Sequence, residues 1–281
     1  MNKVLRYKIV NDIPKSIAFL VFSFLTIIWL IPFVWVFLST FKTYPETVQL
    51  PIRFMPNSFY LGNFTELLGR MRFVTYYRNN VIVTLGILIP QVFLSSMAAY
   101  GFARLNFPFK NAIFMSLFIA LMVPLQMILM PRYNMMIAFG WINSYMGVII
   151  PCIPSITVTF FIRQQIMGLP RSLDESAIID GANHWTIYWH IILPLCKSAI
   201  LATGLMCLVF AWNLFLWPLI VINSTSMYTL SIGTANLQGQ NLTRENLLMT
   251  AALLVSTPVI IIFLLTQKHF VKGVAMTGIK E

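Results

Sequence analysis

Few groups in this sequence could do acid–base, nucleophilic or metal chemistry: eight carboxylates, three histidines and three cysteines in 281 residues. Their spacing builds no reaction centre. There is no His-Glu-x-x-His for zinc and no Gly-x-Ser-x-Gly elbow for a nucleophilic serine. No glycine-rich loop ending in Gly-Lys-Ser/Thr is present to cradle a nucleotide phosphate. Cys152, Cys196 and Cys207 form no Cys-x-x-Cys pair and read as buried thiols, neither disulfide-bonded nor metal-binding. The acids and His184, His190 and His269 all lie outside the long apolar runs, so a proton relay at membrane depth has no members here. The chain is expected not to be an enzyme and to hold no metal or cofactor of its own. One concentration of charge stands apart: Asp174, Glu175, Asp180, His184 and His190 crowd into the stretch Arg163–Lys197.

That stretch has to be positioned by helices. Ser172 with Glu175 three residues on is a capping box, which predicts a helix starting at Ser172. Asp174 and Glu175 also suit the positive end of that helix. Gly181 fits a left-handed stop. A second short helix, His184–Ile192, is expected to end at Pro194, giving a helix–turn–helix. A cap alone would account for Glu175, close packing for Ala177 and Gly181, and an interfacial belt for His184, Trp185, Trp189 and His190. The joint spacing is harder to reach by accident: Glu175-Ser176-Ala177, then Gly181, then Ile191-Ile192-Leu193-Pro194.

The remainder of the chain explains where such a loop could sit. Hydrophobic residues make up 58% and charged residues 10%, against roughly 45–50% and about 25% in soluble domains. No soluble core could hide that much apolar surface. Six windows are free of ionisable groups and long enough to cross a bilayer as helix: Ile17–Ser39, Asn79–Ala103, Asn111–Met130, Tyr145–Ile162, Ser198–Ile222 and Leu247–Thr266. The expected fold is all-α and polytopic, with Met1–Ser16 and 267–281 as tails around a 17–266 transmembrane domain. The net charge of +11 reads as membrane topology rather than nucleic-acid binding. With both termini in the cytoplasm, twelve of the nineteen basic residues lie inside, including Arg104, Arg163, Arg171 and Lys197. The outer loop Lys42–Arg78 is expected to form a small ordered cap. Pro90, Pro124, Pro154 and Pro258 sit within windows, where kinks beside a pathway and simple tolerance both account for them.

The loop spacing resembles the EAA loop of ABC-transporter permeases, Glu-Ala-Ala-x3-Gly-x9-Ile-x-Leu-Pro, with Ser176 as the single departure. Other blocks are similar to the carbohydrate-uptake branch, and in particular to the shorter, maltose-type inner permease. They are Pro32-Phe33 through Lys42, Ala98-Ala99-Tyr100-Gly101-Phe102-Ala103-Arg104-Leu105, Phe210–Leu219, and His269 through Lys280. The resemblance implies a permease of a binding-protein-dependent importer in a bacterial or archaeal cytoplasmic membrane. Its partners would be a second permease, two ATPase subunits that bind ATP and magnesium, an extracellular or periplasmic solute-binding protein, and lipid, but no nucleic acid.

It further implies that Glu175, Ser176, Ala177, Asp180, Gly181, Ile191, Leu193 and Pro194 form the ATPase-coupling site. Movement of the loop would then tilt the two spans it joins, and Lys268–Glu281 would add a second cytoplasmic contact. For a sugar solute, Trp212, Asn213 and Trp217 offer ring faces and an amide, chemistry that ordinary packing would also use. The amide-rich Asn236, Gln238, Gly239 and Gln240 could reach toward the binding protein. The alternative is an ATP-independent secondary transporter, which would normally carry an intramembrane charge or an internal repeat.

Overall fold

The computed structural model describes residues 15–239 and 244–275, and within them there are helices and no strands. Met1–Pro14, Gln240–Thr243 and 276–281 lie outside the described residues. The chain forms two compact units. One holds the described residues up to Met71 together with 244–254 and Leu237–Gly239; the other holds Arg72–Asn236 and 255–275.

In the first unit, α1 (Lys15–Ser39) is the first window. Its side chains are largely exposed, Phe19, Phe22 and Trp29 among them, as a helix facing lipid or another subunit would be. The expected cap is present as two short helices, α2 (Tyr44–Val48) and α3 (Gly62–Arg70). Polar groups that would be costly to bury alone are paired here. Lys42 is 1% exposed; its Nζ donates to the Arg53 carbonyl at 2.6 Å and sits 3.9 Å from the Trp35 ring centroid. Burial pulls the Lys42 pKa down, while Glu46 pushes it back up.

Asn63 of α3 is fully buried and donates to the carbonyls of Thr40 and Lys42 at 2.7 and 2.8 Å. It also accepts from Asn246 at 2.7 Å. Asn63→Ala strands those groups, and we expect a loss of about 1–3 kcal/mol, read as a lower thermal midpoint in detergent. An unchanged midpoint would show that the cap is held by other contacts.

In the second unit, α4 (Phe73–Arg104) is the central helix. It packs along α8 (Ile156–Met167) and α12 (Lys197–Trp212). Its buried positions Tyr76, Asn80, Val83, Ile87, Gln91, Ser95, Ala99 and Ala103 recur every three or four residues, the spacing of one helix face. Small residues let the neighbouring backbones approach. The helix starts six residues before the apolar window, because Phe73–Arg78 supplies aromatic and basic side chains suited to an interface. Asn79 and Asn80 then act as staples: Asn79 Nδ2 donates to the carbonyls of Ser226 and Tyr228, and Asn80 Oδ1 accepts from the Leu230 amide.

Two windows bend sharply. The third divides into α5 (Lys110–Leu121) and α6 (Leu125–Ala138), bent by 100°. Pro124 sits at the break in an extended conformation and disfavours helical geometry at Val123. The fourth divides at Pro154 into α7 (Tyr145–Ile149) with its 3-10 extension Ile150–Cys152, and α8, bent by 41°. Four helical segments among the described residues are thus long and apolar enough to cross a membrane, with Lys197–Val221 counted as one, or up to six if each bent pair counts as one.

The loop after α8 carries α9 (Ser172–Ile179), α10 (His184–Ile187), a π-helical stretch Tyr188–Ile192 and α11 (Leu193–Leu195). Beyond α12, the chain breaks at Asn213–Phe215 before α13 (Leu216–Val221), where Pro218 cannot donate back to Leu214. The last helices are α14 (Leu230–Gly239) and α15 (Glu245–Ala275).

Candidate functional site

The helix–turn–helix between α8 and α12 forms at the expected place, with three local corrections. The capping box is absent. Arg171 holds the cap position without a side-chain bond, and the amides of Asp174 and Glu175 donate to its carbonyl at 2.9 and 3.1 Å. Ser172 is already in the first turn, too far in to cap it. The second helix is capped instead by Asn183, whose Oδ1 accepts from the Thr186 amide at 2.8 Å. Nor does that helix stop at Pro194. Proline lacks the amide an α-turn would need, and the chain widens into a π-helical turn before it and continues to Leu195.

The turn between the helices is as the glycine predicts. Gly181 has φ +83°. The Ala182 amide donates to Ala177 at 2.9 Å and the Gly181 amide to Ile178 at 3.0 Å, the paired bonds of a Schellman stop. A Cβ at Gly181 would meet nothing within 4 Å, so its requirement is conformational and not steric. Gly181→Val should cost about 1–2 kcal/mol from the left-handed backbone alone. Gly181→Asn should cost clearly less; equal losses in thermal stability would refute that origin.

The loop has an inner and an outer side. Ala177, Ile187, Tyr188, Ile192 and Cys196 are buried in one apolar cluster with Ala99, Tyr100 and Ala103 of α4 and Ile162 and Ile166 of α8. Ile191 and Leu193 pack against that cluster. Burial pushes the Cys196 thiol up to about 11, with Arg104 opposing it, and also raises the Tyr188 phenol. On the outer side, Glu175, Ser176, Asp180, Gly181 and Pro194 are exposed. So are large apolar side chains: Ile179 is 85% exposed, Trp185 58% and Ile178 52%. The eight candidate coupling residues therefore divide. Ala177, Ile191 and Leu193 face the cluster that holds the loop, and the other five are on its open surface.

Sequence reasoning missed the polar contacts that tie this loop down. Asp174 Oδ2 lies 3.1 Å from Arg104 Nε, with the side chains 13% and 6% exposed. Arg104 Nη2 donates to the Leu169 carbonyl at 3.0 Å. Tyr188 Oη and Ser96 Oγ are 2.7 Å apart, and Tyr100 Oη lies 3.4 Å from His184 Nδ1. A cavity of about 230 Å³ opens between Met97, Tyr100, Leu105, His184 and Trp185. The partners are too far apart in sequence for any spacing rule to find. The one available hint was Arg104 itself, a lone cation closing an apolar helix.

Of the residues considered for solute, the two tryptophans are held inside the chain. Trp212 is 5% exposed and its Nε1 donates to the Val255 carbonyl at 2.9 Å. Trp217 is 1% exposed, donates to the Gly147 carbonyl at 3.0 Å and carries the Arg132 guanidinium 4.2 Å from its ring centroid. In this conformation both indoles spend their donors and faces inside the chain. Asn213 is exposed, with Nδ2 bonded to Val209. Arg132 lies on α6 within a bent pair and contacts Cys152 Sγ at 3.2 Å. Asn236 is exposed on α14; Gln238 and Gly239 belong to its last turn, and Gln240 lies outside the described residues.

Comparison with known proteins gives this geometry a context. Residues 91–276 match the family described as binding-protein-dependent transport system inner membrane component. The arabinooligosaccharides transport system permease protein AraQ of Bacillus subtilis is 35% identical over 93% of this chain and 94% of its own length. The sn-glycerol-3-phosphate transport system permease protein UgpE of Agrobacterium fabrum is 30% identical over 95% and 98%. In fold, the chain is similar to one chain of a bacterial ABC transporter involved in the import of the acidic polysaccharide alginate. The TM-score is 0.78 at 19% identity, covering 96% of this chain and 99% of that one. A structure of a bacterial alginate ABC transporter in complex with an alginate pentasaccharide-bound periplasmic protein gives 0.65 at 15% identity, covering 92% and 97%.

Proposed function

The chain belongs to the family of binding-protein-dependent transport system inner membrane components and is a multi-pass membrane protein; from that premise we propose that it forms, with a second permease, the solute pathway of an ABC importer for a sugar or oligosaccharide. Relatives named for arabinooligosaccharide and sn-glycerol-3-phosphate transport support that solute class. Two partner ATPases bind ATP and magnesium and do the hydrolysis, while this chain converts their closure into access. A solute-binding protein delivers the solute on the outer face, with Asn236 and the residues after it within reach. The transmembrane domain runs over 17–266 with both tails and the loop Arg163–Lys197 in the cytoplasm, and Lys268–Glu281 makes a second contact there.

The observation that carries this reading is the outer side of the loop. Glu175 and Asp180 flank the exposed Ile178 and Ile179, while the opposite side is anchored in the helices. A surface with that mix, on a fixed base, suits a protein partner: an apolar centre that loses its water and a charged edge that sets orientation. Glu175 is the residue we assign to a charge pair with a basic residue of the ATPase.

The test is hydrolysis by the complete complex in liposomes, with a cognate binding protein, on addition of arabinooligosaccharides or sn-glycerol 3-phosphate. Stimulation by one of them, with ATP-dependent accumulation, is expected. Accumulation that proceeds without ATP would sink the proposal in favour of a secondary transporter.

A further inference from the structure

The loop Arg163–Lys197 is joined by the chain to α8 and α12, yet among the described residues its ion pair and its side-chain hydrogen bonds to other helices go to α4, while Arg163 also lies over the Phe114 ring of α5. Asp174 and the Leu169 carbonyl in its first half meet Arg104. His184 and Tyr188 in its second half meet Tyr100 and Ser96. All three α4 residues lie in the helix's last three turns.

Arg104 carries the heaviest part. No hydrogen bond of good geometry reaches either Asp174 oxygen among the described residues, so the guanidinium is what compensates this nearly buried carboxylate. A charge held that way resists separation, because each partner would be left in a poorly solvated site. The neighbouring contacts are of a different kind. Apolar packing between the loop and α4 is non-directional and would permit sliding, whereas an ion pair plus a carbonyl bond on one guanidinium fixes position. Toward its other end, about 36–38 Å from Arg104 at 1.5 Å per residue, α4 holds the segment Ser226–Leu230 through Asn79 and Asn80.

Building on the importer reading, we infer that α4 is the helix the coupling loop drives, and that Arg104 and Asp174 are the positioning pair that makes loop and helix move as one body. The helices that the chain itself joins to the loop follow through packing. Arg104 and Asp174 touch neither solute nor nucleotide in this account; they act by fixing where the loop stands against α4.

The test uses the complete transporter, purified with its partners, and MgATP as the only ligand. Spin labels go on cysteines replacing exposed Ala98 of α4 and exposed Arg171 at the start of α9, with Cys152, Cys196 and Cys207 changed to alanine. With the pair intact, the Ala98–Arg171 distance distribution should be narrow and identical in nucleotide-free and ATP-bound complexes. In the paired neutral variant, Arg104→Gln with Asp174→Asn, no buried charge is stranded and the fold should persist. There the distribution should shift or broaden on ATP binding, while hydrolysis by the partners continues.

A shift of the same distance with the pair intact would overturn the inference, because loop and helix would then move separately. An unshifted distance in the neutral variant would overturn the role of the pair. Arg104→Lys, which keeps the charge but not the fork, should fall between. If no ATPase accompanies the unmodified chain, the importer reading fails first and this inference goes with it; failure with an ATPase present concerns the inference alone.

Discussion

Glu175→Gln is expected to leave the chain's own stability almost untouched and to uncouple the transporter. Glu175 is exposed and makes no ion pair among the described residues. Its contribution to the isolated fold is a carboxylate near a helix start, about 0.3–1 kcal/mol. At a desolvated protein–protein interface, losing one member of a charge pair costs about 2–5 kcal/mol, roughly thirty- to several-thousand-fold in affinity. The measurement is the affinity of the solubilised chain for its ATPase, beside the thermal midpoint of each alone. Glutamine keeps the length and polarity, so a variant that binds and transports normally would remove the charge pair from the account.

Asp174→Ala, one residue away, should behave in the opposite manner. Its carboxylate points inward onto Arg104 and both side chains are largely shielded. Removing it strands the guanidinium, and breaking a buried pair from one side costs about 3–5 kcal/mol. The expected result is a chain with a markedly lower thermal midpoint and less protein in the membrane, whatever partners are present. Replacing both residues by leucine should recover most of that loss, since apolar pairs of similar volume often substitute for buried ion pairs. If the double variant is no better than Asp174→Ala alone, the loss does not come from a stranded charge.

The contrast between these neighbours marks how far the sequence could be read. The apolar windows were legible because backbone in lipid has to be helical and because ionisable groups are excluded from it. Gly181 was legible because a left-handed stop is a local property, and its Schellman bonds form as expected. The loop's helical character was read from local start and stop signals between two apolar windows; the family spacing of Glu175, Gly181 and Pro194 added only the coupling role.

Local signals misled where two local explanations competed. Ser172 and Glu175 have capping-box spacing, but the helix starts with Arg171 at the cap. Pro194 stops an ordinary helix, but a π-turn absorbs it. Pro124 bends its window by 100°, while Pro90 sits inside a continuous helix; the residue alone does not distinguish these. Trp212 and Trp217 suit both a sugar site and packing, and in this conformation both are buried.

What no spacing rule could supply were the contacts made across the fold, such as Asp174 with Arg104 or Tyr188 with Ser96. Those depend on which helix lies beside the loop. That neighbour is α4, the helix packed along both helices that the loop joins.

The central claim, that this chain works as the membrane half of an ATP-driven importer, is tested most directly by its company. The chain is extracted from its native membrane in mild detergent, and the proteins that remain bound to it are identified by mass spectrometry. The expected company is an ATPase with a phosphate-cradling loop and a second polytopic permease, with the ATPase lost or weakened, and the permease retained, when Glu175 is changed to glutamine. Recovery of the chain alone or as a homodimer, with no ATPase across several detergents, would contradict it and turn attention to an ATP-independent carrier.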